Sequence, residues 1–120
     1  MKKIITAVLF LFLGLNMSAQ ELVPLKDLQS NPNEVRIYSD KEVILLDKQL
    51  KLSTEQAKEL KEILYSKYKN LSQELNSDQI LQISQGVRER IRIVLGSEKY
   101  TELAKNEGLL NIITGAAYLN

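Results

Sequence analysis

From residue 54 to about residue 75, apolar side chains recur at steps of three and four with no Gly or Pro between them. They are Ala57, Leu60, Leu64, Tyr68, Leu71 and Leu75. That is one continuous face of an amphipathic helix, about 33 Å long at 1.5 Å per residue. A second stripe, Ile80, Ile83, Val87, Ile91 and Val94, predicts another helix after the polar break Asn76-Ser77-Asp78. Ser77 is its expected N-cap, with Asp78 in the positive first turn. The connection is short, so the two helices should run antiparallel. Gly86 lies inside the second stripe at a cost of about 1 kcal/mol relative to Ala; it marks a close crossing, a bend or tolerated drift. Gly96-Ser97 should end this helix and cap a shorter one that turns Tyr100, Leu103 and Ala104 inward, with Gly108 as its C-terminal stop.

The flanks are less regular. Residues 20–39, with Pro24, Pro32 and the Ser30-Asn31-Pro32-Asn33 cluster, read as a linker or tether. In residues 34–50 two readings stay open. Val35-Arg36-Ile37-Tyr38 and Val43-Ile44-Leu45-Leu46 are β-rich runs that would suit a hairpin. Ser39 and Glu42 instead form a capping box, and Val43, Leu46 and Leu50 lie at helical spacing, which favours a helix over 40–50. The tail, 109–119, is apolar but too short to span a membrane. It should dock back on the bundle or serve as a partner-binding strip. The expected fold is therefore all-α, an antiparallel hairpin or bundle of three to four helices within a helical domain over 40–120.

The first residues have the pattern of a cleaved leader: Lys2-Lys3, an apolar run of 12 residues from Ile4 to Leu15, and Met17-Ser18-Ala19 before a cut. A signal peptide over 1–19 implies a periplasmic or secreted protein, with no stable membrane span after cleavage. It also changes the charge. The whole chain carries 16 basic and 15 acidic residues; without Lys2 and Lys3 the balance is 14 to 15, a net −1. Such a balance gives no electrostatic footing for nucleic acid. The chain has no His and no Cys. Disulfides, the thiol nucleophile, the commonest general base and the familiar zinc sets are thereby excluded. No Gly-x-Ser-x-Gly elbow or phosphate-binding loop is present. No catalytic, cofactor or metal residue is assigned, and the chain is not expected to be an enzyme.

Helix-start chemistry is the most distinctive local feature. In Leu52-Ser53-Thr54-Glu55-Gln56, Ser53 can cap the long helix and Gln56 can close a capping box with it. Leu95-Gly96-Ser97-Glu98-Lys99 echoes the stretch, with Leu95 and Ser97 at matching places. Two such helix starts in a small exported helical protein resemble the Spy/CpxP-type periplasmic family, whose members carry paired Leu-Thr-x-x-Gln motifs. Ser53 stands in the Thr place of the first copy; Gly96 and Lys99 depart from the second. The resemblance spans about residues 40–105. It implies an exported, non-enzymatic binding protein, chaperone-like or related to envelope stress, acting on protein clients and able to form a homodimer. The alternative is a structural or accessory subunit that docks into an envelope complex through its apolar tail. The candidate client or partner surface is Arg88 and Arg92 beside Val87 and Ile91, extended by Ile112, Ile113 and Tyr118.

Overall fold

The computed structural model describes residues 22–119, whose regular secondary structure is helical throughout, with no strand. The expected leader and its cut site lie outside these residues. In chain order the helices are α1 (Leu25–Ser30), α2 (Val35–Leu50), α3 (Thr54–Leu71), α4 (Ser77–Ala104) and α5 (Glu107–Thr114). A 3-10 turn, Pro32–Glu34, leads into α2, and another, Ala116–Leu119, follows α5. No helix among the described residues is long and apolar enough to cross a membrane.

The protein is a small all-α bundle. Its main core joins Leu46 and Leu50 of α2, Leu60 and Leu64 of α3, Val87 and Ile91 of α4, and Leu109 and Ile113 of α5. A satellite core of Leu28, Val35, Tyr68, Leu71 and Ile80 closes the other end. The long stripe is placed as the sequence predicts: Leu60, Leu64 and Leu71 are fully buried. The apolar tail does dock on the bundle, as α5.

Several boundaries differ from the expected ones. Residues 22–34 are not a free tether. Pro24 opens α1, and Leu28 is fully buried against the satellite core. Helix α2 begins at Val35 rather than at Asp40, so the β-rich run is helical; Val35 and Tyr38 pack on the satellite core, and packing overrides intrinsic preference. Ser39 is thus no cap. It is buried inside α2 and its hydroxyl donates to the Arg36 carbonyl at 3.0 Å. Helix α3 stops at Leu71 instead of reaching Leu75. Asn76, not Ser77, caps α4: its Oδ1 accepts from the Gln79 N–H, and Gln79 Oε1 accepts from the Asn76 N–H, both at 2.9 Å.

The Gly96 break holds. With φ 81° and ψ 167°, a conformation open essentially to glycine, it divides α4 into arms over 77–95 and 97–104. Gly108 is not a stop; it sits in the first turn of α5, whose left-handed C-terminal residue is Gly115 at φ 91°. Gly86 marks neither a bend nor a crossing. A Cβ there would meet no atom within 4 Å.

Candidate functional site

The two helix-start stretches come together. Ser53 caps α3, its hydroxyl accepting from the Gln56 N–H while Gln56 Oε1 accepts from the Ser53 N–H, each at 3.0 Å. Gln56 then reaches across the bundle. Its Nε2 donates to the carbonyls of Val94 and Leu95 at 3.2 and 3.4 Å. These carbonyls lie at the end of the arm that Gly96 breaks, where helical partners run out. From the other stretch Lys99 donates to Gln56 Oε1 at 2.7 Å and to the Lys51 carbonyl at 3.1 Å. Leu52 and Leu95 pack into the main core beneath, while Ser53, Thr54 and Ser97 are exposed. Of the six helix-start residues, Leu52, Ser53, Gln56 and Leu95 therefore take part in a clamp between α3 and α4, while Thr54 and Ser97 stand outside it. Lys99, where the sequence departs from the paired motif, is a working member of the clamp.

A second polar cluster is wholly internal. Lys67, its side chain fully buried, donates to Glu42 Oε1 at 2.7 Å and to the Ile113 carbonyl at 2.8 Å. Tyr68 donates its hydroxyl to Glu42 Oε2. The Lys67 ammonium also stands 3.9 Å from the centre of the Tyr68 ring. Burial pushes the Glu42 carboxyl up and the Lys67 amine down, and each partner's charge opposes the shift of the other. Burial, then Glu42, raises the Tyr68 phenol far above its ordinary range. The cation sits at the C-terminal end of α5, where it meets an orphan carbonyl and the negative end of the helix dipole. Through these bonds the cluster ties α2, α3 and α5 together. Sequence reasoning missed it, although Lys67 falls on the inward phase of α3, four residues from both Ile63 and Leu71.

The expected client surface is not assembled as such. Val87 and Ile91 are 6 % and 0 % exposed, and Ile113 is 0 % exposed, so all three belong to the core. Val87 and Ile91 lie on the face of α4 that joins the main core, and Ile113 is the contribution of α5 to that core. Ile112 and Tyr118 are half-buried, and Tyr118 donates its hydroxyl to the Val23 carbonyl. Arg88 is half-buried and donates to the Tyr100 hydroxyl at 3.3 Å. Arg92 is exposed but paired with Glu89 one turn away. Within the tail Leu109, Leu110 and Ile113 face inward, whereas Leu119 is exposed.

An exposed apolar feature lies elsewhere, in a groove of about 390 Å³ between α3 and the first arm of α4. Ile63 and Val94 form its floor, and Ile93 stands open on its α4 side at 67 % exposure. The α3 wall carries Glu55, Glu59 and Glu62; Arg90 lies on the α4 wall. Lys58 sits on the crest of α3 and also lines a groove on the opposite flank, with Lys61, Asp40 and Ile44. Helix α3 thus presents acid to α4 and base to α2. Among the described residues Glu55, Glu59, Glu62 and Arg90 take part in no ion pair. The signal for this groove was in the sequence: Ile93 is apolar but out of phase with the buried stripe. No group of three or more His, Cys, Asp or Glu able to hold a metal occurs among the described residues. No protein-family model, curated protein or solved structure matches the chain.

Proposed function

We propose that this chain is an exported, non-enzymatic polypeptide-binding protein, chaperone-like in action, that takes apolar segments of other proteins in the α3–α4 groove. The observation that carries the reading is Ile93, two-thirds exposed on an apolar floor between charged walls. An isolated exposed Ile needs no explanation, but one that widens a groove floored by Ile63 and Val94 is a contact surface in waiting. Completing the burial of Ile93 is worth about 1–2 kcal/mol. Such a contact holds a client segment reversibly, and no nucleotide is needed to release it. The charged walls keep the loaded complex soluble.

The test is light scattering of unrelated aggregating clients, without ATP, in the presence of the chain lacking residues 1–19. Protection is expected, and Ile93→Asp should weaken it. Arg88→Glu and Arg92→Glu should leave it nearly unchanged, because those side chains face Tyr100 and Glu89 rather than the groove. Unslowed aggregation at several-fold molar excess, with the helical spectrum intact, would remove the reading.

A further inference from the structure

The geometry points to an amphipathic helix with a basic edge as the occupant of the α3–α4 groove, an inference that rests on the polypeptide-binding reading above. Two arguments lead there. The first concerns backbone. Both walls of the groove are helices whose own N–H and C=O groups are bonded internally, so the groove offers no edge for an extended strand to pair with. A strand pressed onto the floor of Ile63, Val94 and Ile93 would lose water from its backbone groups and gain no partners. A helix brings its hydrogen bonds with it and exposes only side chains, and helix-in-groove binding is the recurrent solution for such a seat. Laid along α3 and α4, it would complete a bundle in the ordinary antiparallel manner.

The second argument concerns charge. Glu55, Glu59 and Glu62 follow one another at four and three residues, a single row about 10 Å long on the α3 wall. No ion pair among the described residues engages them. Three carboxylates in a row beside an apolar floor match Lys or Arg at the same spacing on the edge of an apolar stripe. Lys58, which lines both this groove and the one on the opposite flank, softens this field without removing the excess of carboxylates on the α3 wall. Arg90, on the other wall, suits an acidic residue on the far edge of the same helix. The occupant is thus a helix with an apolar face, a basic edge toward α3 and an acidic or neutral edge toward α4.

The experiment uses the chain over residues 20–120 and two synthetic helical peptides of about 18 residues, five turns. They share one Leu stripe and differ only in carrying Lys or Glu along the edge that would face α3. Binding is followed by anisotropy of a dye on the peptide. The Lys-edged peptide should bind about ten-fold more tightly at about 50 mM salt, and the preference should shrink at about 0.5 M, where screening is short-ranged. Glu55→Lys, Glu59→Lys and Glu62→Lys together should reverse the preference, and the corresponding three Gln substitutions should abolish it; all three positions are exposed, so the bundle should survive either set. Equal binding of both peptides overturns the inference while leaving the polypeptide-binding reading intact. Binding of neither, with Ile93-dependent protection of clients retained, overturns it in favour of extended segments. A dimer of this chain that Ile93→Asp dissociates overturns it in favour of a second copy on the groove. Loss of both peptide binding and client protection removes the underlying reading as well.

Discussion

Lys67→Met is the substitution whose cost the structure defines most closely. Met matches the stem of Lys67 but leaves Glu42, the Ile113 carbonyl and the Tyr68 ring without the ammonium they share. Glu42, with an 8 % exposed side chain, keeps only the Tyr68 hydroxyl. The Ile113 carbonyl loses its donor inside the bundle. Breaking a buried pair from one side costs about 3–5 kcal/mol, because the remaining charge or its protonation must be accommodated without compensation. For a domain whose whole stability is about 5–15 kcal/mol, that is a large share. With a urea slope of about 1.5 kcal/mol/M, the unfolding midpoint followed by far-UV circular dichroism should fall by about 2–3 M. The triple change Glu42→Leu, Lys67→Met and Tyr68→Phe removes every side-chain charge and donor of the cluster together. It should return to within about 2 kcal/mol of the wild type, since well-packed apolar residues replace buried ion pairs at little cost. A midpoint for Lys67→Met within about 0.5 M of the wild type would refute the account. So would a triple variant less stable than the single one.

Other expectations follow from the same contacts. Gln56→Ala should cost about 1–3 kcal/mol in denaturant melts, and more than Ser53→Ala, because Gln56 closes the capping box and also serves the Val94 and Leu95 carbonyls; equal costs would mean the cross-bundle bonds contribute nothing. Gly86→Ala should raise stability by about 0.5–1 kcal/mol, since the site is exposed helix interior with no neighbour for the new methyl, and a lower melting temperature would contradict this. Burial raises the phenols of Tyr68 and Tyr118 above the ordinary 10.0, so the folded chain holds these protons after the unfolded chain has begun to lose them. Their contribution is whole below about pH 10 and is lost as pH rises further, while Lys67, lowered by burial, acts in the opposite sense up to about 10.5. Tyr118→Phe should therefore flatten the alkaline fall in stability relative to wild type, and an unchanged slope above pH 10 would show that this phenol is not buried in solution.

The parts of the fold that were legible in the sequence are those where one signal acts alone. The stripe of α3 and the Ser53–Gln56 capping box needed only periodicity and local hydrogen bonding, and both stand. The break at Gly96 was equally local. What escaped depends on packing between segments distant in the chain. The start of α2 at Val35 is decided by contacts with Tyr68 and Leu71 in α3, against the β preference of its own residues. Ser39 and Glu42 satisfy a capping-box pattern, yet Glu42 is drawn inward by Lys67, 25 residues away. Asn106 and Gly115, rather than Gly108, bound α5, because the apolar run between them is pinned to the core. The exposure of the residues around Arg88 and Arg92 was misjudged for a related reason. Val87 and Ile91 are apolar neighbours of arginines, but in-phase apolar residues are buried, and it was the out-of-phase Ile93 that stayed outside.

The positions of the two polar clusters bear on how the groove would work. Gln56 follows directly on Glu55 at one end of the acidic wall, and it fixes that end of α3 to the carbonyl of Val94, a floor residue. Lys67 anchors the other end of α3 to α2 and α5, and it lines a smaller neighbouring groove, beside Ser66, Asn70 and Gly86, that shares Ile63 and Arg90 with the first. The acidic wall is therefore held at both ends by hydrogen bonds that reach other helices. The arm of α4 that bears Ile93 is held at its exit by the same Gln56. A seat fixed in this way has little ordering left to do when it is filled, so the entropy of association falls mainly on the incoming segment. Clients that already form a helix should then be favoured over sequences of the same composition that do not. That preference would arise from the stiffness of the seat, independently of its charge.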